Sequence, residues 1–237
     1  MVLGIIPARL NSSRFPKKIL ADIGGRPMIS YVVDQALKSK KLDRVVVAVD
    51  NVETIGLLER YNYDIKMTSK KHQSGTDRVN EVAELIPDAK IIINIQGDEP
   101  MLNPKLIDNL VDLFYDDRVE MATIVSKKIS SKDILDLNVV KAIIDEYQYA
   151  TSFKRSSEEA DNSGLYKHIG IYGFRRKTLF RFSNLDPSIN ELKYSLEQLR
   201  ALDNGIKIKT LICNEESFSV DTKMDLENVI IKMGFNA

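Results

Sequence analysis

KIIINIQGDEP, residues 90–100, decides the fold class. Ile91, Ile92, Ile93 and Ile95 make a β-branched apolar run, and Gly97-Asp98-Glu99-Pro100 ends it in turn residues. A run this short, without polar alternation, reads as a strand covered on both faces, the habit of parallel sheets. Two runs of the same kind lie upstream, at 2–7 and in RVVVAVD at 44–50. Helical spacing separates and follows them. It occurs at 27–38, where Met28, Ile29, Val32, Val33 and Leu37 share a side, at 54–61, and at 76–85 behind Gly75. Residues 104–115 come next, with Pro104 suited to a first helical turn. Strands alternating with helices predict a parallel, doubly wound sheet.

Downstream the pattern changes. Residues 121–127, 139–145, 149–155 and 166–174 read as strands with few helices between them, which predicts a more antiparallel half. SSEEADNSG at 156–164 is polar and reads as a loop. A helix is expected over 191–203, closed by Asn204-Gly205, then a strand at 206–213. Thr222 is placed to cap a last helix running to Met233.

Composition narrows the class. The 237 residues carry 34 Lys plus Arg and 34 Asp plus Glu, so no basic excess points to nucleic acid or a membrane surface. Cys213 is the single cysteine and has no internal disulfide partner. MVLGIIPARL lacks the basic lead of a signal peptide, and no apolar stretch nears the ~20 residues of a membrane helix. The expected location is the cytoplasm.

Four constellations could carry chemistry. Arg9, Arg14 and Lys18, with Lys17, follow the first strand, where ligands of open α/β sheets bind, and could grip a triphosphate; a solvated basic loop is the plainer reading. Asp98, past the decisive strand, suits a magnesium ion, which takes one or two carboxylates plus substrate phosphates; it is otherwise a turn aspartate. Asp221 also follows a short apolar stretch, though the helix dipole alone favours an aspartate there. Arg155, His168 and Tyr172 form a polar set: His168 and Tyr172 share a strand face with Gly170 between them, while Ile169 and Ile171 face the core. The plain alternative is a hydrogen-bonded buried histidine beside a bulge glycine. GxxxxGK[ST], GxGxxG and GxSxG are all absent, which disfavours a kinase, a dinucleotide dehydrogenase and a serine hydrolase.

IIPARLNSSRFPKKIL, TSKKHQSGTDR, NIQGDEP, KHIGIY, LEQLRAL and VDTKMD stand in this order along nearly the whole chain. Together they resemble the CMP-Kdo synthetases, the 3-deoxy-manno-octulosonate cytidylyltransferases. The resemblance implies a nucleotide-diphosphosugar transferase fold: a Rossmann-like mixed sheet flanked by helices, with a smaller antiparallel portion for sugar binding and dimerisation. It implies one domain over 1–237, with 1–120 mainly for the nucleotide, 121–213 mainly for sugar and dimer contacts, and 214–237 bringing the second metal aspartate and a closing helix. The implied reaction joins CTP to an acidic 2-keto sugar, 3-deoxy-D-manno-octulosonate (Kdo), giving CMP-Kdo and diphosphate and activating the sugar for lipopolysaccharide synthesis. Pro7, Ala8, Arg9, Arg14, Lys18, Ser74, Gly75, Thr76, Gln96 and Asp98 would meet the nucleotide. Asp98 and Asp221 would bind Mg²⁺ and, with Arg14 and Lys18, serve catalysis. Arg155 would meet the sugar carboxylate, and His168, Tyr172, Glu191 and Gln198 its hydroxyls. A homodimer is implied.

Three departures stand out. Lys17 replaces the family's usual glycine, and Ile19 its proline. Residues 156–164 replace a longer segment with an Ile-Pro pair. Tyr194 stands where a second pocket glutamate is usual. The last two bear on the sugar, so an amino-Kdo or another 2-keto acid sugar is the alternative acceptor. A non-catalytic nucleotide-binding regulator is the alternative of a different class.

Overall fold

A computed structural model describes residues 1–11, 15–155 and 164–235. Arg14 and residues 156–163 therefore lie outside the described part. The chain forms two compact units, Met1–Asp108 with Ser217–Ala237, and Asn109–Glu216.

The first unit begins with β1 (Val2–Ala8), the small antiparallel pair β2 (Asp22–Ile23) and β3 (Arg26–Pro27), and α1 (Met28–Leu37). β4 (Arg44–Val49), α2 (Val52–Leu58), β5 (Ile65–Met67), α3 (Gly75–Glu84) and β6 (Ile91–Asn94) follow. β1 pairs in parallel with both β4 and β6, and β4 with β5, giving the order β6-β1-β4-β5. The apolar runs occupy these strands because nothing polar has to face water: Ile92, Ile93, Val46 and Val47 are all fully buried. The segment ends in α4 (Pro104–Asp112), which tightens into a 3₁₀ turn at Leu113–Tyr115.

The second unit contains β7 (Met121–Ser126), α5 (Ser131–Leu135), β8 (Lys141–Ile144), β9 (Ala150–Lys154) and β10 (Leu165–Arg175). α6 (Arg176–Ser183), α7 (Ile189–Tyr194), α8 (Gln198–Asp203) and β11 (Ile208–Cys213) complete it. β7 pairs with β11 in parallel and with β10 antiparallel; β10 also pairs antiparallel with β8, and β8 with β9. The α/β class holds, with the expected shift toward antiparallel pairing. From Ser217 the chain adds α9 (Lys223–Lys232) to the first unit. Thr222 caps α9 in a capping box with Asp225, and Val220 and Val229 pack with Ile23 and Met28.

Two expectations need correction. Residues 191–203 are not one helix. Ser195 takes φ 52°, and its N–H bonds the Glu191 carbonyl, closing α7 before α8 begins. The guanidinium of Arg155 donates to the carbonyls of Tyr194 and Ser195 at 3.4 and 3.1 Å, so groups orphaned at that helix end find a partner distant in sequence. The strand-rich half also contains α6, whose Leu179 and Phe182 are buried one turn apart. Its N-cap, Arg175, makes no side-chain cap bond, so no local signal announces the start.

Candidate functional site

In the first unit the decisive strand delivers Asp98, and the segment before α9 delivers Asp221. The Val220 N–H donates to the Asp98 carbonyl at 2.9 Å, which ties the two segments together. Both carboxylates converge on one ammonium. Lys18 Nζ lies 2.7 Å from Asp98 Oδ2 and 3.2 Å from Asp221 Oδ1, with all three side chains mostly shielded. Two carboxylates and one ammonium leave a formal charge of −1, which favours a further cation nearby. Among the described residues no group of three or more His, Cys, Asp or Glu side chains converges on a metal position. Two hard oxygen donors are what magnesium uses when phosphates complete its shell.

Pro7, near the end of β1, lies against two glycines. A Cβ on Gly97 would stand 3.1 Å from the Pro7 carbonyl oxygen, and one on Gly75 would lie 3.5 Å from the Pro7 ring. A side chain at Gly97 would therefore press on the Pro7 backbone. Ser74 caps α3 through a capping box with Asp77. Behind it Gln96 Nε2 donates to Asn94 Oδ1, and Asn94 Nδ2 to Thr76 Oγ1, each at 3.3 Å. The structure thus groups Pro7, Gly75, Thr76 and Gln96 around the end of β1, and Lys18 with both aspartates. Arg9 is exposed beyond Ala8. Lys17 departs from the expected phosphate set: its ammonium pairs with Glu53 at 2.6 Å, and its backbone takes φ 55°, the region that favours glycine.

Sequence reasoning passed over Asp50 and Arg78. Asp50 Oδ1 accepts from the Leu10 N–H at 2.9 Å, and its Oδ2 from Arg78 Nη2 at 3.1 Å. Arg78 is almost wholly buried and also donates to Thr68 Oγ1 and the Ser69 carbonyl. Burial draws its pKa down, against the opposing pull of Asp50. This pair anchors the start of the basic loop. A carboxylate closing the run RVVVAVD was the available signal.

The second unit carries the other candidates. His168 Nε2 lies 3.0 Å from Thr123 Oγ1, with the ring edge-on to Phe153 at 5.1 Å and tilted against Tyr172 at 5.4 Å. Burial pushes the His168 imidazole down to about 3 and the Tyr172 phenol well up, Glu197 adding to the latter. Both groups are therefore neutral at physiological pH. Arg155 spends its guanidinium on the carbonyls of Leu137, Tyr194 and Ser195. Its own carbonyl accepts from Lys141, a fully buried lysine that also donates to the carbonyls of Asp136 and Val139 at 2.8 Å. Glu191 faces Arg200 with both oxygens, at 2.6 and 2.7 Å, and joins a capping box with Ser188. Gln198 opens α8 and is buried. His168 and Tyr172 are brought together as expected, whereas Glu191 takes partners within its own helix pair.

Comparison with known proteins identifies the family. Residues 3–208 match the family model described as cytidylyltransferase. A 3-deoxy-manno-octulosonate cytidylyltransferase from Geobacter sulfurreducens is 40% identical, over 98% of this chain and 99% of its own. One of the same name from Leptospira interrogans is 42% identical over 97% and 94%. A solved CMP:2-keto-3-deoxy-manno-octonic acid synthetase complexed with CTP superposes with a TM-score of 0.91 at 36% identity, covering 98% of both chains.

Proposed function

This chain belongs to the cytidylyltransferase family, and from that premise we propose that it joins CTP to 3-deoxy-D-manno-octulosonate (Kdo), giving CMP-Kdo and diphosphate and activating the sugar for lipopolysaccharide assembly. The observation that carries the reading is the convergence of Asp98 and Asp221 on the Lys18 ammonium. Near-full-length relatives of the same named activity support it.

In the reaction the anomeric hydroxyl of the sugar attacks the α-phosphorus in line. A new C–O–P link forms as the hydroxyl proton passes to solvent, the bond from the α-phosphorus to the bridging oxygen breaks, and diphosphate leaves with that oxygen. Positioning and charge neutralisation supply most of the acceleration in such transfers. Asp98 and Asp221 would hold Mg²⁺, which when bound neutralises phosphate charge and polarises the reacting oxygen. Lys18, on its flexible stem, exchanges its carboxylate partners for phosphate oxygens, and Arg9 and Arg14 extend that grip. Ser74, Gly75, Thr76 and Gln96, with Pro7 and Ala8, frame the base and ribose. The neutral pair His168 and Tyr172 meets sugar hydroxyls together with Gln198, while Arg155 and Glu191 would take up the carboxylate and a hydroxyl by exchanging their present partners, the backbone carbonyls and Arg200.

A homodimer is part of this reading, supported by the exposed Ile189 and Leu192 on α7, which a second copy would cover. A CTP-consuming reaction and the lone cysteine support a cytoplasmic setting. The test is diphosphate release from CTP and Mg²⁺ with a panel of acidic sugars. Kdo is expected to turn over fastest. Turnover confined to an amino-Kdo or another 2-keto acid sugar overturns the choice of acceptor, and no turnover with any sugar overturns the enzyme in favour of a regulator.

A further inference from the structure

β7 and β10 slip out of register in one place. The pairing steps from Ile169 opposite Ile124 to Tyr172 opposite Thr123, so Gly170 and Ile171 bulge out of the ladder. The Ile171 carbonyl is buried there and needs a donor. Thr123 Oγ1 supplies it at 2.8 Å, with the Ile169 carbonyl a longer 3.4 Å away. A threonine hydroxyl has a single proton, and this contact uses it. Toward His168 Nε2, 3.0 Å away, the same oxygen can then only accept.

We infer that Thr123 is a positioning residue that holds His168 in the Nε2–H tautomer, so that Nδ1 is presented as a hydrogen-bond acceptor to a hydroxyl of the acidic sugar. The inference rests on the proposed place of His168 in the sugar site. Three observations agree with it. The ring meets Thr123 through Nε2, the nitrogen remote from the backbone. Phe153 and Tyr172 flank the ring and limit its rotation. The β-branched threonine has few rotamers with which to release the contact. Burial also keeps the ring neutral, which a lone-pair acceptor requires. An acceptor at this point selects a donor such as a hydroxyl over an ether or carbonyl oxygen.

The tautomer can be read directly, because the chain has only two histidines. Two-bond ¹H–¹⁵N spectra of the ¹⁵N-histidine-labelled full chain, assigned with His72→Gln, should show His168 protonated on Nε2. A pattern protonated on Nδ1 overturns the role of Thr123 without Thr123 itself having to be replaced. Thr123→Val should weaken the Nε2–H preference and raise KM for the sugar roughly 3–10-fold, the worth of one neutral hydrogen bond, leaving KM for CTP within about 2-fold. Thr123→Ser keeps the hydroxyl and should restore both readouts; failure of that rescue overturns the inference. If the tautomer is as stated but His168→Ala leaves the sugar KM unchanged, the place of His168 in the sugar site fails instead.

Discussion

The two ends of the proposed chemistry are built on different electrostatics. In the first unit formal charges sit close together with little protein between them: Lys18 between Asp98 and Asp221, Arg78 against Asp50. In the second unit His168 and Tyr172 are themselves neutral, Arg155 and Lys141 are spent on backbone carbonyls, and Arg200 is matched by Glu191. The difference follows from what each must bind. A triphosphate needs charge neutralised, and the cost of gathering like charges is offset when the ligand arrives. A polyhydroxy sugar needs donors and acceptors in fixed positions, which uncharged groups supply without competing for ions.

The comparison breaks most visibly at Asp98. Asp98→Asn keeps the shape of the side chain but removes one of two negative charges facing Lys18. It should lower kcat by about 10³-fold, in the range for loss of a group stabilising transition-state charge. The far-ultraviolet circular dichroism should stay unchanged. A rate within a few-fold of the parent protein would mean that the first unit's charges are only structural.

Next in size is the acid response of the neutral pair. His168 has a folded pKa of about 3, below the ordinary value of about 6.5. Between those values the unfolded chain binds a proton that the folded chain refuses. Stability therefore falls as pH drops below about 6.5 and levels off near 3. The loss between pH 6.5 and 5 should be roughly 1–2 kcal/mol, read as the difference in urea midpoint between the parent protein and His168→Gln. Equal pH slopes for the two proteins would show that the ring is not held neutral.

The smallest effect lies at Lys17. Its left-handed backbone costs about 1–2 kcal/mol for a residue with a Cβ, while its exposed pair with Glu53 returns at most about 1. Lys17→Gly relieves the strain but loses the pair and adds unfolded-chain entropy, so a small net gain, at most about 1 kcal/mol, is expected. Lys17→Ala keeps the strain and loses the pair, and should be less stable than the parent. Thermal melts of the two variants should therefore move in opposite directions.

What could be read in the residues was what local pattern controls. The isoleucine and valine runs became the parallel strands, and Thr222 became the cap of α9. Asp98 and Asp221 could be placed at element ends, but not beside the same ammonium. The break between α7 and α8 was hidden because it turns on Ser195, a non-glycine residue at φ 52°, and the Arg155 that meets the carbonyls there lies about forty residues upstream. Glu191 looked available for a ligand because nothing in its own stretch announces the bidentate grip of Arg200. Thr123 was invisible for the same reason: a lone threonine in an apolar strand gains meaning only from the bulge opposite it.

Lys141 has a consequence of its own. Its three ammonium protons match three backbone carbonyls, those of Asp136, Val139 and Arg155, and its side chain has no exposed surface. An amine-directed label can reach it only while that stretch of chain has opened. Its labelling rate, set against those of the surface lysines, is thus a built-in clock for how often the backbone around Arg155 lets go.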